Sequence, residues 1–429
     1  MWSLIRSNQR KSVLLIFLLL ALFLAFGWAI GNIFAPGPAA HTPQPIYTNV
    51  ESVGAPPAAP HSFMPPASMI GIVIALAVWV VLLLVAFSGG EDILLAQAGA
   101  TEVDKRQAAR LLNIVEEMQI AAGLKTMPRV FIVNSPVPNA FAVGRTPERA
   151  AITVTTGLLA RLNRDELQGV IAHEMSHIVN RDTMFMTLAG ITVGALVLIA
   201  DSMRYVRFSS YGGKSDSKDS GQLGAILMVI SILLIILAPI LAQLLYFACS
   251  RRREYLADAC GAQFTRYPEG LASALEKISG AQVAEEQHSR VLAPMYIVNP
   301  LAASGESGSV LSTHPPTSER IKILRGMGRS ASFAAYEEAY KQQHGGSGVF
   351  KPREAAAFAQ SDAGIPAREA SADSSEFHPA SAQREAKQVM QESVGFDIIN
   401  CTCGLRMKLP PGFDAPAVRC PRCGAIHAR

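Results

Sequence analysis

"GVIAHEMSHIVNRD", residues Gly169 to Asp182, places His173 and His177 four residues apart, with Glu174 directly after the first histidine. In a helix, residues four apart lie on the same face about one turn apart, so both imidazoles can bind a single metal ion. Glu174 lies roughly 100° further round the helix, where its carboxylate can reach a water molecule on the metal. The stretch therefore predicts a metal centre on a helix.

A metal centre of this kind suits peptide hydrolysis, because a peptide carbonyl is a poor electrophile and water is a poor nucleophile at neutral pH. Zinc polarises the carbonyl and lowers the pKa of its bound water toward about 7, while a carboxylate takes the proton and returns it to the leaving amine. The alternative for so short a pattern is a helix with two incidental histidines, so the question of a third ligand is decisive.

"SRRREYLADAC", residues Ser250 to Cys260, supplies a candidate third ligand in Glu254. Glu254 would complete a three-ligand site that keeps one coordination position for water. Asp258, one turn later on the same helical face, can orient a ligand histidine through its second ring nitrogen. The alternative for Glu254 is a solvated acid that balances the run Arg251 to Arg253.

Two apolar runs, Met184 to Ala200 and Leu223 to Ala248, separate the ligand-bearing stretches. If the runs form an antiparallel pair, the start of the first run and the end of the second lie on the same side of the membrane. The candidate ligands, which flank those two ends, then meet at the membrane surface. The loop that joins the runs is basic at Arg204, Arg207, Lys214 and Lys218. A count of four spans would place this loop outside the cell, and its basic charge is then contrary to the positive-inside tendency. We expect both runs to cross, and the alternative is a hairpin that enters the bilayer without crossing it fully.

The composition indicates a membrane protein, because 50% of the residues are hydrophobic and the mean hydropathy is +0.25. The N-terminal region, residues 1–90, predicts a two-helix membrane hairpin. Val13 to Gly31 is an uncharged apolar run that nearly spans a hydrocarbon core of roughly 30 Å, and the alternative is a cleaved secretory signal. Ala35 to Ser68 holds nine prolines and no lysine or arginine, which predicts an extended external connector opposite a cytosolic N-terminus. Met69 to Phe87 predicts the second span.

Residues 91–345 predict a soluble domain that is interrupted by the membrane hairpin 184–248. Its first part predicts a helix from Lys105 to Ala122, a strand from Arg129 to Ser135 and a hairpin from Asn139 to Leu159. Asp165 then begins the helix that carries the two histidines. After the membrane hairpin, a helical stretch from Arg251 to Lys277 precedes a turn-rich region to Gly345. Residues 346–395, poor in aromatic residues, predict a disordered tether.

The last segment, residues 396–429, contains four cysteines in two pairs that are 16 residues apart: Cys401, Cys403, Cys420 and Cys423. Four thiolates can close a tetrahedral zinc site, and a module this small needs such a staple to fold. The alternatives are two disulfides or free thiols, which a cytosolic location disfavours. With few aromatic residues and modest basic charge, this ribbon is expected to dock a protein partner or substrate. Cys249 and Cys260 are expected to be ordinary packing residues.

Four motifs together resemble the HtpX-type membrane metalloproteases, relatives of the CAAX prenyl endopeptidases, in order and approximate spacing from Met69 to Arg325. The motifs are "NAFAVG", "HEMSHIVNRD", "SRRREYLADA" and "STHPPTSERI". The resemblance implies a mainly α fold with a small β-sheet: a membrane-embedded zincin-like core with about four transmembrane helices, here followed by the all-β zinc ribbon. It also implies one catalytic zinc ion bound by His173, His177 and Glu254, with Glu174 as the general base.

Further residues receive roles from the same resemblance. Asp258, Asp182 and Arg320 would support the ligands, and His314 would face the developing oxyanion. The edge strand Asn139, Ala140, Phe141 and Ala142 would pair with the substrate backbone. The residues alone allow simpler interpretations, namely a turn residue for His314, a strand-entry turn residue for Asn139 and a structural ion pair for Arg320.

The expected function is that of a membrane-integrated zinc endopeptidase of the cytoplasmic membrane, with its active site facing the cytosol, that cuts membrane or misfolded proteins. The quality-control role is what the resemblance implies. The alternatives are a processing protease for one class of tail or lipidated peptide, and a non-catalytic adaptor that uses the ribbon. The expected partners are protein or peptide substrates, the lipid bilayer and a protein partner of the ribbon. The net charge of +4 gives no reason to expect nucleic acid.

Overall fold

The computed structural model describes residues 2–33, 66–187, 191, 232, 236, 251–281, 295–298, 315–350, 352, 355–356, 365–375, 377–393, 396–413 and 415–428. The chain divides into two compact units. The larger unit comprises Met1–Ser12, Ala86–Gly190 and Phe247–Arg429, and the smaller comprises Val13–Val85 and Ile191–Tyr246. The proline-rich connector up to residue 65, the loop between the later apolar runs and most of those two runs lie outside the described residues.

The smaller unit contains most of helices α1 (Trp2–Ile33) and α2 (Pro66–Gln97), which approach each other closely through glycines. A Cβ atom on Gly71 would lie 2.3 Å from the carbonyl oxygen of Gly27. Close backbone contact at small residues is a common way for helices to associate in a bilayer. At the end of the contact, the Ser68 hydroxyl donates a 2.8 Å hydrogen bond to the Asn32 side chain.

Within the described residues, one helix is long and apolar enough to cross a membrane by length and composition, namely α2. The apolar part of α1, Ile16–Asn32, is shorter. The membrane character predicted from the composition is thus supported by one candidate span. The prediction of about four spans is not confirmed, since the runs 184–200 and 223–248 lie almost wholly outside the described residues.

The larger unit is built from short strands and helices. Its strands are β1 (Ala100–Glu102), β2 (Arg129–Val133), β3 (Ala140–Val143) and β4 (Ala151–Thr155). Its helices are α3 (Ala109–Ala122), α4 (Thr156–Arg161), α5 (Arg164–Val179), α6 (residues 251–265), α7 (Pro268–Ser279), α8 (Thr317–Gly326), α9 (Phe333–Gln343) and α10 (Pro379–Ser393). At the C-terminus, β5 (Asp397–Asn400) pairs with β6 (Arg406–Leu409), and β7 (Ala417–Arg419) pairs with β8 (Ile426–Ala428).

The first four strands form one sheet in the order β1-β2-β4-β3. β2 and β4 are parallel, and the two outer pairs are antiparallel. The predicted strand and hairpin are confirmed, although β4 ends at Thr155 because its side chain caps α4 by accepting a hydrogen bond from the Leu158 amide. β3, which contains most of the predicted substrate strand, is an edge of this sheet.

Helix α5 is the central helix of the larger unit, and every residue from Asp165 to Ile178 is buried. It begins with a capping box in which the Asn163 side chain accepts from the Glu166 amide and Glu166 accepts from the Asn163 amide. The predicted helix is therefore confirmed, but its N-cap is Asn163. Arg181 adopts φ 59° and ends the helical path before a further short helix at 182–187.

Two glycines allow neighbouring helices to approach α5. A Cβ atom on Gly169 would lie 2.7 Å from the backbone nitrogen of Leu271 in α7, and one on Gly261 of α6 would lie 3.3 Å from the backbone nitrogen of His173. The helical stretch predicted from Arg251 to Lys277 consists of two helices, because Arg266 with φ 54° separates α6 from α7. The region up to Gly345, expected to be rich in turns, contains the helices α8 and α9.

The prediction of a disordered tether over residues 346–395 is wrong for two parts of that segment. Residues 365–375, here called the strap, lie against the start of α5. The Arg368 guanidinium donates to Asp165 Oδ1 at 2.6 Å and to Gln168 Oε1 at 2.7 Å, and the Ser371 amide donates to Asp165 Oδ2 at 2.7 Å. Burial alone would raise the pKa of Asp165, but the hydrogen bonds from Arg368, Ser371 and Ser374 and the Arg368 charge together outweigh burial and lower that pKa.

Helix α10 is the second ordered part of this segment, and it packs against α4. Ala382, Ala386 and Val389 are spaced as one helical face and are buried. Composition suggested disorder because this face consists mainly of alanine, whose single methyl group makes it only weakly apolar. Small side chains nevertheless let two helices pack closely, so these residues bury enough surface against α4 to be ordered.

Replacing Arg368 with alanine should lower the free energy of unfolding by about 1–3 kcal/mol, because the buried carboxylate of Asp165 loses a charged partner. Thermal unfolding of the detergent-solubilised chain at pH 7 measures this as a fall in Tm of roughly 2–4 °C for each kcal/mol. Arg384→Ala is the matched control, since Arg384 lies on the exposed face of α10 and, among the described residues, donates only to the Ala380 carbonyl of its own helix. Equal Tm values for the two variants would show that the strap does not hold α5.

Candidate metal centre

The three predicted metal ligands converge on one point in the core of the larger unit. α5 supplies His173 and His177, and α6 supplies Glu254. His173 Nε2 lies 3.5 Å from Glu254 Oε2, and His177 Nε2 lies 3.5 Å from Glu254 Oε1. One ligand atom from each of the three residues lies within 4.8 Å of the others. The side chains that the sequence separates by two apolar runs are therefore neighbours in the fold.

The spacing of these atoms fits a zinc ion. Ligand bonds of about 2.0–2.1 Å in a tetrahedron place the ligand atoms roughly 3.3–3.5 Å apart. Each imidazole lies 3.5 Å from one oxygen of the Glu254 carboxylate, which agrees with that separation. His173 Nε2 is buried and has no hydrogen-bond partner among the described residues, so it is available to a metal. Glu254 is 1% exposed, and a carboxylate so deeply buried requires a positive partner.

The charge around the site also fits a divalent cation. Four carboxylates are buried in this cluster, on Glu174, Asp182, Glu254 and Asp258. Two buried guanidinium groups, on Arg253 and Arg320, face them. With neutral histidines the cluster carries an excess of two negative charges. Zn²⁺ would balance that excess, and unbalanced buried charge is costly.

Asp258 orients the first histidine. Its Oδ1 atom lies 3.0 Å from His173 Nδ1, so the proton on Nδ1 points to the carboxylate and Nε2 points to the ligand cluster. Arg320 holds Asp258 through two hydrogen bonds of 2.8 and 2.7 Å. Burial raises the pKa of Asp258, but the charge and hydrogen bonds of Arg320, together with the contact to His173, outweigh burial and keep that pKa below its usual range. The geometry thus gives Asp258 and Arg320 the positions expected of residues that support the ligands.

Asp182 stands in the same relation to the second histidine, with its Oδ2 atom 3.2 Å from His177 Nδ1. Arg253 approaches Asp182 at 3.6 Å and stacks over the Phe185 ring at 4.1 Å. From the sequence, Arg253 had no role at the site beyond the alternative in which a solvated Glu254 balances Arg251 to Arg253, but only 5% of its surface is exposed. Its place directly before Glu254, on the helix that faces α5, was the available signal.

His173 is strongly basic in the absence of a metal. Burial lowers the pKa of His173, but the neighbouring carboxylates of Asp258 and Glu254 outweigh burial and raise its pKa to about 9. A proton on this ring therefore compensates the neighbouring carboxylates, as a bound cation would. Zinc must displace that proton at neutral pH.

Of the remaining predicted residues, Glu174 lies beside His173 on α5 and is 2% exposed. Asn139 is buried at the start of the edge strand, where its backbone amide donates to Thr155 Oγ1 at 2.9 Å. His314 lies outside the described residues. Cys260 is buried in the main hydrophobic core, which confirms its packing role, and Cys249 lies outside the described residues.

The four cysteines of the ribbon form a second cluster, in which Cys401 Sγ lies 3.3 Å from Cys423 Sγ and Cys403 Sγ lies 3.6 Å from Cys420 Sγ. These separations exceed the disulfide length of about 2.05 Å, and the described cysteines are free thiols. The Cys403 amide donates to Cys401 and helps to lower the pKa of that thiol to about 5. A set of four convergent sulfurs is a possible zinc site.

The sequence of residues 105–328 matches the model of peptidase family M48. That match covers more than half of the chain and contains all three candidate ligands. The chain belongs to peptidase family M48. Members of this family are metallopeptidases that use zinc, so this M48 chain is a zinc metalloprotease, and the residues His173, His177 and Glu254 fit its metal.

Relatives of this M48 protein are called protease HtpX homologs. The chain is 46% identical to the homolog of Dictyoglomus turgidum over 259 residues, which are 60% of this chain and 83% of the relative. It is 37% identical to the homolog of Lactobacillus acidophilus over 328 residues, which are 75% of this chain and 98% of the relative. A crystal structure of S. mikatae Ste24p is 20% identical with a TM-score of 0.35, covering 59% of this chain and 57% of Ste24p.

Replacing Asp258 with asparagine should weaken zinc binding 10- to 100-fold, because the variant loses the negative charge and one of the two oxygens that accept from His173 and Arg320. Competition of the purified chain against a chromogenic zinc chelator measures this affinity. Asp104→Asn, a change at an exposed carboxylate that accepts hydrogen bonds from two nearby amides, is the control. Unchanged affinity in the Asp258 variant would mean that the hydrogen bond to His173 has no role in metal binding.

Zinc binding should also release a proton from His173. Because the folded pKa of about 9 lies above the ordinary value of 6.5, the ring of the metal-free chain is protonated at pH 7.5 and neutral at pH 10. Titrating the metal-free wild-type chain with zinc in a weakly buffered indicator dye should release about one proton more at pH 7.5 than at pH 10. Proton release that is the same at both pH values would contradict the raised pKa.

Proposed function

We infer that this M48 protein is a membrane-integrated endopeptidase that hydrolyses peptide bonds of membrane or misfolded proteins at the cytosolic face of the cytoplasmic membrane. The observation that carries the proposal is the convergence of His173, His177 and Glu254 on one buried point. Three protein ligands leave a coordination position for water, as hydrolysis requires. A purely structural zinc site would instead be closed by a fourth protein ligand.

The residues of the chain divide the work of hydrolysis. A zinc ion bound there would polarise the scissile carbonyl and acidify a water molecule. Glu174, adjacent to His173 in α5, takes the proton of the attacking water and delivers it to the leaving amine. Asp258 and Asp182 keep the two imidazoles in the tautomer that presents Nε2 to the metal. His314 remains the predicted partner of the developing oxyanion.

The edge strand is the proposed docking place for substrate. In the antiparallel pair of β3 and β4, the Thr155 amide donates to the Asn139 carbonyl. Because hydrogen bonding to the partner alternates along a strand, the backbone groups of Ala140 and Ala142 point away from β4. A substrate in extended conformation can add to such an edge through main-chain hydrogen bonds. Because these bonds do not depend on side chains, strand addition suits a protease that acts on many misfolded chains.

The proposed location combines the sequence with the described helices. Basic residues precede the first apolar run and none occurs in the proline-rich connector, which favours a cytosolic N-terminus. If all four apolar runs cross, the ligands on either side of the later pair face the cytosol as well. A processing protease for one class of substrate would have the same centre and would differ in the shape of its pocket.

For the ribbon we propose a structural zinc ion held by Cys401, Cys403, Cys420 and Cys423. Two hairpins of three or four residues per strand bury little apolar surface, so a metal is needed to hold them together. The purified chain should then carry two zinc ions, and a chain that lacks residues 396–429 should carry one. Docking of substrate or of a partner protein remains the proposed task of the ribbon.

Glu174→Gln should reduce cleavage of a reduced, carboxymethylated model protein by a factor of about 10²–10⁴ while zinc stays bound, since a glutamine cannot accept the proton. Atomic absorption and a gel-based cleavage assay measure zinc and activity on the same sample. Glu166→Gln is the matched control on the same helix, because Glu166 caps α5 and pairs with Lys277. Full activity in the Glu174 variant would support a non-catalytic adaptor instead.

A further inference from the structure

A short segment of the chain, residues 295–298, lies along the edge strand that is proposed to receive substrate. The Ile297 amide donates a 2.9 Å hydrogen bond to the Ala140 carbonyl, one of the groups that point away from β4. The Tyr296 ring meets the Phe141 ring edge to face, with the ring centroids 5.2 Å apart. The edge is therefore occupied by the protein itself at the position where strand addition would begin.

The side chain of Asn139 binds the next peptide group of this segment. Its Nδ2 atom donates to the Val298 carbonyl at 2.7 Å, and its Oδ1 atom accepts from the Val298 amide at 3.4 Å. A carboxamide that faces both the amide and the carbonyl of one residue binds the backbone of that residue without regard to its side chain. This contact explains the burial of Asn139 better than a turn at the entry of β3, because turn formation does not require the carboxamide to reach a residue 159 positions away.

The Ile297 carbonyl points toward the metal centre. Arg320 Nη1 donates to this carbonyl at 3.1 Å and lies 3.6 Å from Glu254 Oε2. The other terminal nitrogen of Arg320 lies 3.4 Å from His173 Nδ1. The segment is thus bonded to a guanidinium group that lies beside two of the three candidate metal ligands.

All four backbone hydrogen-bonding groups of Ile297 and Val298 are engaged, by the Ala140 carbonyl, Arg320 and both atoms of the Asn139 carboxamide. Each of these bonds is made to the main chain of the segment, so another peptide that adopts the same local backbone conformation could take over the same bonds. The Ile297 side chain is 1% exposed in the main core cluster, so a chain that displaced the segment would have to fill this place with an apolar side chain.

We propose that residues 296–298 act as an internal competitor that occupies the peptide-binding edge beside the metal centre, and that extended, unfolded substrates must displace it. The proposal rests on the proposed function, because it assumes that substrate uses the same edge. It assigns Asn139 and Arg320 as residues that bind the backbone of the displacing chain. It also names the substrate class, namely segments without stable structure whose apolar residues can fill the place of Ile297.

Competition predicts a specific kinetic signature. Ile297→Pro removes the amide that bonds to Ala140 and should weaken the segment without touching the metal ligands. KM for the carboxymethylated model protein should fall roughly three- to tenfold while kcat is unchanged, since a larger fraction of the protein is open to substrate. Ile297→Val keeps the amide and should keep the wild-type KM. An unchanged or higher KM in a proline variant that retains zinc would overturn the proposal.

Hydrogen exchange tests the same point with the segment intact, in case the proline variant does not fold. The Glu174→Gln chain in detergent should bind the carboxymethylated protein without cutting it. On binding, the peptide that contains residues 295–298 should exchange faster, while the peptide that contains β3 stays protected. Unchanged or slower exchange at 295–298 with substrate bound would show that the segment stays in place beside β3. That result would contradict this inference and leave the proposed function intact. Failure of the Glu174→Gln chain to bind would contradict the proposed function, and this proposal would fall with it.

Discussion

The burial of charge inside one helical core is the constraint on which the rest of the structure depends. α5 is surrounded on all sides, so its histidines and Glu174 cannot be stabilised by bulk water. Buried charges persist only when they are paired or bind metal. Asp258, Asp182, Arg253 and Arg320 provide the pairs, and they still leave an excess of two negative charges. A divalent cation therefore completes the core electrostatically as well as chemically.

This constraint determines how closely the neighbouring helices must approach. Glu254 can reach both imidazoles only if α6 lies against α5, and Gly261 permits that contact at the level of His173. α7 reaches α5 through Gly169, and the strap fixes the start of α5 through Asp165. The geometry of the metal centre and the packing of the helices in the larger unit thus depend on the same contacts. A change that moves α6 by about one ångström alters the spacing of the ligand atoms, although it touches none of them.

Local pattern was sufficient to predict the elements that form the site. Four-residue spacing in "HEMSH" was sufficient to predict a helix with a candidate ligand pair, although the pattern alone left two incidental histidines as the alternative. The turn residues between Gly144 and Glu148 were sufficient to predict the hairpin that joins β3 and β4. The position of Glu254 required a resemblance as well, because its own surroundings in the sequence suggest a solvated acid. The strap could not be predicted, since its order comes from partners far away in the chain: Arg368 bonds a residue 203 positions away. Composition indicates how much apolar surface a segment can bury, but it does not identify hydrogen-bond partners elsewhere in the chain.

A competitor that belongs to the same chain has a consequence for selectivity. Covalent attachment gives a tethered segment an effective concentration that reaches the millimolar range for short flexible connections. A dilute free peptide with the same backbone contacts cannot compete with it. A substrate held in the same membrane, or a misfolded chain with many extended segments, presents its backbone at a comparable local concentration. Because Asn139, Ala140 and Arg320 bond only to the main chain of the segment, discrimination would then come from exposure and local concentration. Such a site would spare folded proteins, whose strands are already paired, without having to recognise any particular sequence.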